Sequence, residues 1–334
     1  MNLNPSYVPI LKWKKGEQGA LKELSTTIKN GIIPLIEITP DFNESKLLST
    51  IKSWENRPLY FDVLPECYED DNEIYFRILG KLNHDYTIPV LSLADDMDIM
   101  QKANNLSNLG FALRIISADA EYVENILEQI TQNFNPSYID LILDIKHIDA
   151  ENYNEKYIVL KSILLDIPNI NDYRNIIVAT SSFPNTLTSV ERYELATIER
   201  LDWSFWKKCI NKLNKKFNIN LIYSDYTIDT PNYVAYIPGM SPLFKIRYTS
   251  DDDFVILKGQ TIKKGGLDSD SVSDLCNTLT TSSYFKGNDF SWGDNYIYEH
   301  SNNSAKSYGN LTTWVKVGTN HHITFVINQL SNLS

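Results

Sequence analysis

The stretch Ile139-Asp140-Leu141-Ile142-Leu143-Asp144-Ile145 decides how the chain is to be read. Its apolar residues run almost unbroken instead of alternating with polar ones, and it follows the turn-forming Asn135-Pro136. A short apolar run bounded in this way fits a strand buried on both faces, as in a parallel sheet. Outward from it, similar runs recur at Tyr7–Lys12, Ile32–Ile38, Leu59–Leu64, Ile88–Leu93, Phe111–Ile116, Asn175–Ala179 and Asn220–Tyr223. Between them Glu17–Ile28, Glu44–Trp54, Asp71–Leu82, Asp119–Asn133 and Glu191–Leu213 carry apolar residues at three- and four-residue spacing, the mark of a helix. Asp95, Asp96 and Asp119 stand where a helix N-terminus takes an acceptor or a negative charge.

Most runs follow one another at about 23–35 residues, the length of one βα unit. Eight such units predict an α/β fold of the TIM-like (β/α)8 barrel type, since open doubly wound sheets more often have fewer strands. The chain contains neither GxGxxG nor GxxxxGK[ST], which weakens the common nucleotide-binding forms of the open sheet. Beyond the eighth run, Phe244–Tyr248 and Phe254–Lys258 flank a turn at Ser250–Asp253 and predict a β-hairpin. Ser269–Leu279 predicts a helix, Phe285–Asn295 a loop, and His321–Leu330 a last helix entered from Trp314–Gly318. The organisation expected is one domain: residues 1–228 as the eight βα units, 229–310 as an insertion over the barrel mouth, and 311–334 as a closing helix.

The chain has 334 residues, 43% of them apolar and 12% aromatic, enough for a large core. A formal net charge of −11 argues against broad binding to nucleic acid or to an anionic membrane. The three cysteines, Cys67, Cys209 and Cys276, form no CxxC pair, so they read as small buried apolar residues. Met1–Pro9 lacks the basic and apolar regions of a signal peptide, and no run approaches the ~18 apolar residues of a membrane span. A cytoplasmic protein is expected.

In a barrel, side chains at the C-terminal ends of the strands converge on one mouth. The polar residues at those positions are Lys12 and Lys14, Glu37, Asp62, Ser92, Arg114, Asp144 and Lys146, Ser181 and Ser182, and Asp225. Residues two apart on a strand share a face, so Asp144 and Lys146 can both point inward, above Ile142, as can Lys12 and Lys14, above Ile10. Two readings of this set stand side by side. In one it is a buried ion-pair network, because buried charges must be paired. In the other it is a ligand site: Lys12, Lys14, Asp62, Arg114, Lys146, Ser181 and Asp225 bind a polar or anionic small molecule. Glu37 and Asp144 are then candidate catalytic carboxylates. Glu37, Asp62 and Asp144 also have the chemistry for a hard cation, although their spacing matches no metal motif, and no cofactor is indicated.

His321 and His322 are the remaining candidate catalytic residues. Gly318-Thr319-Asn320 before them reads as a turn and an N-cap, which would put both in a first helical turn on the rim of the mouth. Adjacent residues on a helix diverge, so the pair cannot share a metal ion in the usual i, i+4 geometry. Phe290-Ser291-Trp292-Gly293-Asp294 reads either as a packed loop or as a lid carrying Trp292 or Asp294 over the mouth. Lys263-Lys264-Gly265-Gly266 reads as an exposed turn.

Three stretches together resemble the beta protein family of bacteriophages, phage satellites and bacterial genomes. They are Tyr7-Val8-Pro9-Ile10-Leu11-Lys12-Trp13-Lys14-Lys15-Gly16-Glu17, then Pro34-Leu35-Ile36-Glu37-Ile38, and finally Phe290–Asp294 with Trp314–His322. The resemblance covers the chain from near residue 7 to near 330 and implies a setting in anti-phage gene clusters; it brings no catalytic residues with it. Two functions follow as expectations. The first is an enzyme, a hydrolase or lyase, acting on a phosphorylated or nucleotide-like molecule at the mouth. The second is a non-catalytic sensor of a phage product or a neutraliser of a toxic protein encoded nearby. The partners expected are thus a small-molecule anion or a protein from the same gene cluster, with no membrane and no nucleic acid.

Overall fold

Eight parallel strands, β1 (Tyr7–Lys12), β2 (Leu35–Ile38), β3 (Leu59–Val63), β4 (Thr87–Ser92), β5 (Phe111–Ile116), β6 (Ile139–His147), β7 (Asn175–Ser181) and β9 (Leu221–Asp225), close into a barrel in that order. The computed structural model describes residues 3–54, 56–69, 73–235, 242–262, 267–302 and 307–333. The Lys263–Gly266 turn and Pro238 lie outside the described residues, as does the start of the segment Asp71–Leu82. The ring closes where β1 pairs with β9, Val8 against Ser224 and Pro9 against Asp225. All eight runs expected as strands are strands, and Ile10, Ile36, Phe61, Val90, Leu113, Leu143, Val178 and Ile222 are buried on them.

By contacts the chain divides into two compact units. The first consists of Met1–Trp13, Gly31–Ser182 and Leu201–Tyr226 and holds the barrel. Its helices are α3 (Glu44–Lys52), α4 (Ile74–Leu79), α5 (Met97–Asn104), α6 (Val123–Asn133), α7 (Tyr153–Leu165), α8 (Leu201–Cys209) and the short α9 (Lys215–Phe217). Asp96 caps α5 by accepting from the Ile99 amide at 2.8 Å, the role its position suggests. Inside the barrel Val8, Ile10, Leu35, Tyr60, Val90, Ala112, Ile142, Ile177, Ala179 and Ile222 form one buried cluster. Strand period two then fixes what continues each row toward the C-terminal end: Lys12 above Ile10, Glu37 above Leu35, Asp62 above Tyr60, Arg114 above Ala112 and Asp144 above Ile142.

The second unit consists of Lys14–Asn30, Phe183–Arg200 and Thr227–Ser334. It contains α1 (Lys15–Lys22), most of α2 (Thr26–Gly31), β8 (Leu195–Glu199), β10 (Leu243–Thr249), β11 (Asp253–Thr261), α10 (Ser269–Thr280), α11 (Trp292–His300) and α12 (Leu311–Ser331). The expected hairpin is β10 with β11, and β8 joins it to make an antiparallel sheet ordered β10-β11-β8. Here the helix expected over Glu191–Leu213 is corrected: its first part is strand, with Ile198 opposite Phe254 and Ala196 opposite Ile256. Pairing with a partner more than fifty residues away overrode a local apolar spacing that a helix would also have satisfied. The loop expected over Phe285–Asn295 also ends early, because Ser291 caps α11 by accepting from the Asp294 amide at 3.1 Å. All three cysteines are buried thiols. Among the described residues no helix is long and apolar enough to cross a membrane.

Candidate functional site

Arg114 stands at the centre of the barrel's C-terminal end. From β5 its Nη1 donates to Asp62 Oδ2 at 2.6 Å, its Nε to Asp144 Oδ2 at 2.9 Å and its Nη2 to the Tyr226 hydroxyl at 2.7 Å. The same Nη1 lies 2.8 Å from Glu37 Oε1, as an ion pair. Four barrel strands therefore converge on one guanidinium. Tyr226 donates in turn to Asp144 Oδ2 at 2.6 Å and accepts from Lys146 Nζ at 3.1 Å. Lys146 reaches this position because β6 slips register between Asp144 and Lys146, and Lys146 itself has φ of 63°. A residue with a Cβ in that left-handed region is strained, and such strain collects at functional sites.

The electrostatics divide the carboxylates. Burial pushes Asp144 up, but Arg114 and Lys146 together outweigh it and hold the carboxyl at about 2. Glu37 goes the other way. Burial raises it, and the guanidinium, which faces Asp62 and Asp144 as well, does not bring it back. Glu37 is fully buried, and neither of its carboxylate oxygens accepts a hydrogen bond. By contrast, Asp62 Oδ1 accepts from the Val63 amide and Asp144 Oδ1 from the Lys146 amide. Among the described residues no group of three His, Cys, Asp or Glu side chains is placed to hold a metal ion.

The structure thus brings together Lys12, Glu37, Asp62, Arg114, Asp144 and Lys146 at one end of the barrel, with buried Ser181 continuing the row of Ile177 and Ala179. Asp225 is corrected. Ile222 and Tyr226, three residues before it and one after it, are the interior ones, so Asp225 faces the helix layer and takes the Tyr7 and Tyr223 hydroxyls. Ser182 likewise turns outward, to Asp202 of α8. Tyr226 is the member that sequence reasoning missed. Stepping by two from Ile222 leads through Ser224 to Tyr226, and following that row one residue past the strand would have found it.

Lys14, Trp292, His321 and His322 belong to the second unit. Lys14 Nζ lies 4.8 Å from the Tyr233 ring centre, and Lys316 Nζ lies 3.8 Å from that of Trp292. The first-turn placement of the two histidines is corrected. Helix α12 begins at Leu311 with Asn310 as its cap, so His321 and His322 sit mid-helix, where the N-terminal field that would tune an imidazole is absent. Gly318 misled the reading: a Cβ there would meet Ile228 Cδ1 at 2.6 Å and Arg247 O at 2.7 Å, so close packing accounts for the glycine without a turn.

Both imidazoles are fully buried. His321 Nδ1 faces Asp294 Oδ2 at 2.7 Å and its Nε2 faces the Thr249 carbonyl at 2.8 Å, while Tyr248 stacks on the ring at 3.7 Å. His322 Nδ1 meets Thr249 Oγ1 at 2.8 Å. Burial raises Asp294, but His321 and the Ser291 and Tyr248 hydroxyls bring it below the ordinary carboxylate range. With both His321 nitrogens facing acceptors and no open face, the pair fastens α11 and α12 to β10 and has the character of a structural ion pair.

No curated protein matches the chain. The model of one family, described as "Beta protein", matches residues 7–328, and the chain therefore belongs to the Beta protein family.

Proposed function

We propose that the protein binds a small polar molecule at the barrel mouth, in the anti-phage setting that the family resemblance implies, with Glu37 as the group that exchanges a proton with it. One observation carries this reading: Glu37 is a wholly buried carboxyl whose two oxygens accept no hydrogen bond. Such a group is costly to a purely structural network, which would satisfy it or replace it. A carboxyl raised by burial beside a fixed cation is also the usual form of a general acid or base. Arg114, Asp62, Asp144, Lys146 and Tyr226 position it, and the floor of apolar side chains beneath limits water.

The phosphorylated or nucleotide-like ligand expected from the sequence has Lys12 and Lys146 as its cations and would compete there with the groups they already address, Asp144 and Tyr226 in the case of Lys146. The test is plaque formation on a host carrying the native gene cluster or the same cluster with Glu37→Gln, with melting temperatures of both proteins. Lost protection by a normally folded variant supports the reading. Full protection by such a variant overturns it and favours a non-catalytic sensor or a neutraliser of a neighbouring toxic protein.

A further inference from the structure

We infer that the ligand of the barrel mouth is held through paired N–H donors, an amidine-like edge such as a guanidino group or the edge of guanine, and not through a phosphate or carboxylate. The inference rests on the mouth being a ligand site, as proposed above, and adds the chemical class of what it takes.

Counting donors and acceptors leads to it. Arg114 has five N–H groups, and its three nitrogens face Asp144, Asp62, Glu37 and Tyr226. Lys146 Nζ is placed between Asp144 Oδ2 at 2.8 Å and the Tyr226 hydroxyl. Lys12, on β1 beside Glu37 of β2, has an interaction of its own. Arg114 and Lys146 are therefore already matched to acceptors, and an incoming anion would have to displace one of them. The acceptors are matched too, with one exception. Asp62 and Asp144 each receive donors on both oxygens, whereas Glu37 receives none on either. The unfilled capacity of this end of the barrel is the Glu37 carboxyl, whose Oε2 meets no donor and whose Oε1 meets only the Arg114 ion pair, and the complement of a planar carboxylate is a planar fork of N–H groups.

Proton linkage makes the class measurable apart from the site. Donors aimed at Glu37 favour its carboxylate and release a proton on binding, whereas an anion beside it favours the acid and takes a proton up. The experiment is calorimetric titration of the full chain and of Glu37→Gln with methylguanidine, guanosine and inorganic phosphate. Each is run at the measured midpoint of Glu37 in two buffers of different ionisation enthalpy. The inference expects methylguanidine or guanosine to bind the native chain with proton release, and at least tenfold more weakly to Glu37→Gln. Phosphate binding with proton uptake, abolished in Glu37→Gln, overturns the donor class while leaving the mouth as a site. Absence of binding by all three, or guanidine binding indifferent to Glu37→Gln, also overturns the inference. The protection assay judges the site itself independently of these outcomes.

Discussion

Glu37 Oε1 lies 2.8 Å from Arg114 Nη1, yet neither oxygen of Glu37 accepts a hydrogen bond, and burial keeps this carboxyl above its ordinary range. The neighbouring Asp144 meets the same guanidinium with full hydrogen bonding and sits at about 2. Two carboxyls on one cation thus have opposite character, and their substitution should separate structure from function.

For Asp144 the expected effect is on stability. Asp144→Asn leaves Arg114 and Lys146 without the charge that both address, and breaking a buried pair in this way costs roughly 3–5 kcal/mol. Urea titration at pH 7 measures it. A loss under 1 kcal/mol would show that the network is not a support of the barrel end.

For Glu37 the expectation is the reverse. Glu37→Gln removes a buried charge that is poorly solvated by the protein, and the variant should unfold within about 1 kcal/mol of native or above it. A loss of the size expected for Asp144→Asn would identify Glu37 as a structural partner of Arg114.

The pH dependences follow with opposite signs. The folded value of Asp144 is depressed from 3.8 to about 2, so its contribution is complete above pH 3.8 and disappears as pH falls toward 2. At 1.36 kcal/mol per unit this is about 2 kcal/mol, visible as a steeper acid limb in native protein than in Asp144→Asn. Glu37 is raised above 4.5, so its contribution is complete below pH 4.5 and is lost as pH rises through the folded value. Stability of native protein relative to Glu37→Gln should therefore decline as pH rises above 4.5. A rising difference would reverse the assignment.

In the second unit the expected effects are those of packing. His321→Ala leaves Asp294 buried without the imidazole that faces its Oδ2, at a cost of roughly 3–5 kcal/mol. Gly318→Ala forces a Cβ to within 2.7 Å of the Arg247 carbonyl and should cost about 1–3 kcal/mol. A His321→Ala protein as stable as native in urea titration, yet inactive in protection, would return that histidine to the functional candidates.

How much of this was legible depended on which contacts carry it. The barrel was readable because each strand announces itself in a continuous apolar run, as at Leu141–Leu143, and the charged residues at the strand ends stand out against it. Period two placed Glu37, Arg114 and Asp144 inward, and the same rule applied to β9 selects Tyr226 over Asp225. Strand β8 was hidden because what makes Leu195–Glu199 extended is the distant partner β11, not a local pattern. The histidines were misplaced because a glycine needed for close packing, Gly318, has the same letter as one needed for a turn. The orphaned oxygens of Glu37 were beyond any sequence pattern. They follow from how the Arg114 fork is shared out among three carboxylates.

The most direct measurement is the ionisation of Glu37 itself, followed by carbon NMR on protein labelled at glutamate side-chain carboxyls and assigned with Glu37→Gln. The mouth as a site held open for donors requires a midpoint above 4.5. A midpoint at or below 4.5 would mean that Arg114 fully satisfies Glu37, and that the barrel ends in a structural salt bridge.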